Sequence, residues 1–172
     1  MPSFSVEYER LWSQRARALG RDLTAEEARQ LEGELFQAWI DAERFDELIR
    51  TIHANHGHSG GGEDIVVLGY HLRERKDRDR IHQFFGGLIS RRVKAFYQWW
   101  PKAEEGHIGS MREAARASAE AMDAYSEYYI SLDSLGLHDE KERLREEMRQ
   151  FQARLPVKSV LPRTRPRHEE PT

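Results

Sequence analysis

The period of the apolar residues constrains this chain more than any other feature. They recur at steps of three and four over nearly the whole length, the spacing of one face of an α-helix. The alternation expected of a half-buried strand is almost absent, and only Ile65-Val66-Val67-Leu68 looks strand-like in isolation. The pattern predicts an all-α fold of about seven helices packed as antiparallel hairpins. A chain of 172 residues can bury roughly 70% of its unfolded surface around one core without staples. With no cysteine, thiol nucleophiles, redox pairs and zinc ribbons are excluded.

Start and stop signals divide the chain. A first helix is expected from about Ser5 to Leu19, with Gly20 to end it, and Thr24-Ala25-Glu26-Glu27 reads as a capping box opening the second. Phe45, Leu48, Ile49 and Ile52 mark a third, followed by a glycine-rich loop from His53 to Gly62. A fourth should span Glu63 to Lys76. Asp77 can cap a fifth, which carries many aromatics and is expected to stop before Pro101. Its Gly86-Gly87 pair is read as a point of close helix packing. Ser110-Met111-Arg112-Glu113 suggests another capping box. The seam behind it, Met111, Ala115, Ser118, Met122, Tyr125, Tyr129 and Leu132, predicts a long helix ending before Gly136. A last helix runs from about Asp139 to Ala153. Residues 1–155 are thus expected to form one domain, and the proline- and arginine-rich stretch 156–172 a disordered tail.

A weak repeat runs through this order. Leu35 to Ile49 reads as helix, turn, then an aromatic-acidic-acidic helix start, and Leu68 to Ile81 repeats the cadence 33 residues later. Met111-Arg112-Glu113-Ala114 falls at the next phase, and Tyr125 to Glu140 offers a shortened copy. Over residues 25–150 the chain resembles the tetratricopeptide repeat, with Gly69 and Ala114 at the family's small positions; Phe36, Leu48 and Pro101 depart from it. A repeat-like solenoid and an irregular helix bundle both fit the pattern. The resemblance implies a concave face bearing Gln37, Asp41, Tyr70, Arg73 and Glu74.

Motifs of catalysis are missing. There is no G-x-S-x-G, no phosphate loop, no dinucleotide fingerprint and no H-E-x-x-H, and the adjacent pairs Glu26-Glu27, Glu104-Glu105 and Glu146-Glu147 point around their helices. His53, His56 and His58 are the one dense set of possible metal ligands and would support a metal-dependent hydrolase. The simpler reading has His53 against the last carbonyls of its helix and the other two solvated, so no metal or cofactor is expected.

Charge is unevenly distributed although the net value is only −3. Residues 65–94 carry eight basic and three acidic side chains, between two acidic flanks. Arg73, Arg75, Lys76, Arg78, Arg80, Arg91, Arg92 and Lys94 are followed closely by Phe96, Tyr97, Trp99 and Trp100, a grouping that single-stranded nucleic acid favours. Pairing with the acidic flanks is the simpler account, so nucleic acid is not the expected partner. Tyr97 and Trp99 are the better interface candidates, because aromatics dominate the energetic centres of protein contacts. These features predict a non-catalytic helical module that binds a protein or peptide in a groove, as adaptors, chaperones and toxin-neutralising proteins do. No apolar run nears membrane-spanning length and no leader pattern opens the sequence, so a cytoplasmic location is expected.

Overall fold

A computed structural model describes residues 2–54 and 63–155. Among them the fold is all-α, with seven helices and no strand: α1 (Phe4–Leu19), α2 (Ala25–Asp41), α3 (Phe45–Ala54), α4 (Glu63–Glu74), α5 (Arg78–Glu104), α6 (Ile108–Ser134) and α7 (His138–Arg154). The strand-like Ile65 to Leu68 lies inside α4, where Leu68 is fully buried and Val66 and Val67 are exposed. The remainder of the expected loop, 55–62, and the expected tail lie outside the described residues.

Side-chain caps open three of the helices, at Ser3, Thr24 and Asp77. The Thr24 hydroxyl accepts from the Glu27 N–H at 3.2 Å, and the Glu27 carboxylate accepts from the Thr24 N–H at 2.8 Å, closing the predicted box. Asp77 accepts from the Arg80 N–H at the start of α5. Two expectations fail. Pro101 does not end α5, which continues to Glu104 with the exposed proline in its last turn. Ser110 does not cap α6; it is buried inside the helix, which opens at His107 without a side-chain cap.

The reason for the second failure is a turn used throughout the chain. Gly20, Glu43, Lys76, Gly106 and Gly136 all have left-handed backbone, with φ between 53° and 92°. In each turn the next residue's N–H reaches the carbonyl five residues back: Arg21 to Ala16, Arg44 to Trp39, Asp77 to Leu72, His107 to Lys102 and Leu137 to Leu132, at 2.9–3.2 Å. This pairing satisfies the last helical carbonyls, and after the turns at Glu43, Lys76, Gly106 and Gly136 the next helix starts at once. The 33-residue cadence in the sequence is the distance from the Glu43 turn to the Lys76 turn, and the next two intervals are 30 residues, each holding one 27-residue helix.

Helices run antiparallel to their chain neighbours. In the longest pair, Phe85 of α5 stacks on Tyr128 of α6 while Arg92 meets Glu120. The two helices, each about 40 Å long, approach closely because α6 turns a stripe of small residues inward: Ala114, Ala117, Ser118, Ala121 and Ala124 are all buried. Of the predicted seam, Ser118, Tyr125 and Leu132 are buried and Ala115, Met122 and Tyr129 half-buried, whereas Met111 is exposed. Opposite sit Ile81, Phe84, Phe85, Leu88 and Phe96 of α5, every one almost fully buried. One apolar cluster joins all seven helices, and every substantial contact links helices one or two places apart in the chain.

Candidate partner-binding groove

The layer formed by α3 and α4 is shorter than the α5–α6 hairpin it covers. Along α5, α3 contacts Arg80, Phe84, Gly87 and Arg91, and there it ends: the Arg91 guanidinium donates to the His53 carbonyl, one residue before the last of α3. Beyond that level α7 covers the other side of the hairpin, with Phe151 against Phe96 and Tyr97. Among the described residues, the side left open is a groove of about 470 Å³ between α5 and α6. Ala95, Ala117 and the half-buried Trp99 supply its apolar surface, and Arg91, Arg92, Lys94 and Arg116 face Glu113 and Glu120 around it.

Arg92 is the unusual member. It is only 8% exposed, a burial that arginine normally tolerates only when its donors are satisfied. Its Nε lies 2.8 Å from a Glu120 carboxylate oxygen but is buried without hydrogen-bond geometry. The terminal guanidinium nitrogens donate to nothing among the described residues while the side chain lines the groove. Arg116 is held by Glu113 at 2.8 Å and lies 3.8 Å from Glu120, so both groove carboxylates are already engaged.

The remaining cations of the basic segment are mostly consumed within the fold. Arg73 pairs with Glu127, Arg75 with Glu43, Arg78 with Glu140, and Arg80 with both Asp46 and Asp77. The Arg80 bond holds the Asp46 carboxyl below its usual range. The simpler expectation for these charges therefore holds.

The predicted concave-face residues do not share one cavity. Gln37 donates to Asp41 at 2.9 Å on the exposed side of α2. Tyr70 is exposed on α4 with its ring edge-on to His71, and Glu74 is exposed at the end of that helix. Arg73 is committed to Glu127 and the Ser131 hydroxyl. Of the two aromatic candidates, Trp99 lines the groove, whereas Tyr97 lies toward α7 and its hydroxyl accepts from Arg154. The small residues read at Gly69 and Ala114 are both packed: α4 passes Phe85 at Gly69, and Ala114 is buried.

His53 corrects the reading of the histidine cluster. Its ring turns into the core rather than toward the carbonyls of its own helix, stacks on Phe84, and places Nε2 2.9 Å from the Phe84 carbonyl. Burial pushes its pKa below the usual histidine range, and the charges of Arg91 and Arg92 push the same way against that hydrogen bond. His56 and His58 lie outside the described residues. Among the described residues no three histidine or carboxylate side chains are grouped for a metal ion.

Arg116, Glu113 and Glu120 escaped the sequence reading. Nothing in one sequence places residues of α6 opposite α5 until the hairpin register is known. A second missed cluster is His82, which bonds the Tyr128 hydroxyl through Nδ1 and lies 3.0 Å from Glu140 through Nε2, tying α5, α6 and α7 together. An open cleft of about 680 Å³ also lies among α1, α2 and α3, where Arg44 is stacked 3.4 Å over Trp39. No helix among the described residues is long and apolar enough to cross a membrane. Comparison with protein-family profiles, curated proteins and solved structures finds no match.

Proposed function

We propose that this protein is a non-catalytic helical interaction module, of the adaptor, chaperone or toxin-neutralising kind, and that it receives a partner protein in the groove between α5 and α6. The observation that carries this reading is the overhang of the long hairpin. Among the described residues its far half is covered by α7 on one side only, and the open side carries a tryptophan and arginines, the residue types that concentrate binding energy. The residues around it are arranged for contact rather than for a reaction: the groove is open, and its carboxylates are engaged by arginines.

Affinity capture from the native source tests the proposal. Full-length protein, Trp99→Ala and Tyr70→Ala are compared, each checked for folding by circular dichroism. The reading expects one partner retained by Tyr70→Ala and lost from Trp99→Ala. Loss from Tyr70→Ala alone would move the interface to the exposed face of α4 and refute the groove.

A further inference from the structure

Four cationic side chains and two carboxylates line the groove, and the excess is not the main point. What matters is which donors are unspent. Arg116 is occupied by Glu113, and Arg91 reaches the end of α3. Arg92 lies against Glu120 through Nε, but its terminal nitrogens make no hydrogen bond among the described residues, and Lys94 at the rim has no partner among them either. A guanidinium fixed by burial loses little freedom when it binds, and its fork matches a carboxylate. Trp99 lies seven residues along the same helix from Arg92, two turns away, so a charged and an apolar subsite follow one another along α5.

Resting on the partner-binding reading above, we propose that the groove takes an acidic segment of the partner, a partner carboxylate seating on Arg92 with Lys94 beside it and an apolar partner side chain packing on Trp99. The same features disfavour a nucleic-acid strand. Glu113 and Glu120 would face a continuous line of phosphates, and the cations that could extend a phosphate track, Arg73, Arg75, Arg78 and Arg80, are held in ion pairs. A discrete carboxylate needs only the terminal nitrogens of Arg92, since the pair with Glu120 is made through Nε.

Panning short random peptides displayed on phage against the full chain tests this. The expected result is enrichment of Asp and Glu beside Leu, Phe or Trp. Synthetic copies of the enriched peptides should weaken about tenfold or more on Arg92→Gln and on Lys94→Glu, the scale of one lost charge-assisted contact. Lys94 is exposed, so Lys94→Glu reports even if Arg92→Gln fails to fold. Neutral or basic peptides that still require Trp99 would overturn the acidic assignment and leave the groove reading standing. Acidic peptides indifferent to Trp99→Ala and to both charge variants would overturn both, as would no enrichment. A single-stranded oligonucleotide that binds at physiological salt through Lys94, more tightly than any selected peptide, would overturn the choice of a protein segment.

Discussion

Gly86 and Gly87 are adjacent in the middle of α5, so helix propensity treats them alike: alanine at either should gain about 1 kcal/mol. Their surroundings differ. A Cβ at Gly86 would meet nothing within 4 Å, whereas a Cβ at Gly87 would overlap the ring of His53. That ring cannot slide away cheaply, because it is buried, stacked on Phe84 and bonded to the Phe84 carbonyl at 2.9 Å. Overpacking at such a site costs about 1–3 kcal/mol, and displacing the ring leaves a buried carbonyl unpaired at about 1–3 kcal/mol more. Against the propensity gain, Gly87→Ala should destabilise by about 2 kcal/mol, while Gly86→Ala should stabilise by about 0.5–1 kcal/mol. For a chain of this length these become a drop of roughly 4–8 °C and a rise of roughly 1–4 °C in Tm. Urea melts followed at 222 nm would give both values, provided the slope is unchanged. Combining Gly87→Ala with His53→Ala should remove most of the clash, which a double-mutant cycle isolates. If the two alanine variants shift stability in the same direction, His53 is not packed against α5 as described, and the account of where the α3–α4 layer ends fails with it.

Three other outcomes follow from the same structure. His53 has a folded pKa below its unfolded value, so its contribution to stability is present above the ordinary histidine pKa and lost as pH falls through the folded one; thermal melts should fall on acidification from neutral pH, and less steeply in His53→Gln, whose amide keeps a donor but does not titrate. Lys76 is a non-glycine residue with φ 53°, and Lys76→Gly should relieve that conformation for up to about 1 kcal/mol, read as a higher Tm. Phe151 and Leu144 are the only buried side chains of α7, so Phe151→Ala should cost about 3–5 kcal/mol and speed amide exchange in α7 before α3 or α4.

Much of the architecture was legible because it depends on local signals. Thr24 and Asp77 cap where hydroxyl and carboxylate spacing says they should, and α6 ends before Gly136 as its apolar seam requires. The misreadings at Pro101 and Ser110 share a cause. A left-handed turn at Gly106 supplies the helix end and the next helix start through backbone bonds alone, leaving side-chain signals in both places without a role. The candidate site was only half legible. Trp99 and the basic run stood out by type, but the pairing of most of those cations, the burial of Arg92 and the arrival of Glu113, Arg116 and Glu120 are properties of the α5–α6 register. In sequence, His53 reads as lying against the carbonyls of its own helix because its core contact, Gly87, lies 34 residues away.

The sequential packing of the helices sets how the molecule comes apart. No helix depends substantially on one more than two places distant, so either terminus can peel back while the central hairpin stays closed, in the manner of a zipper opened from its ends. Nearby partners in the chain also mean short searches during folding, and assembly can begin at α5 and α6 and spread outward.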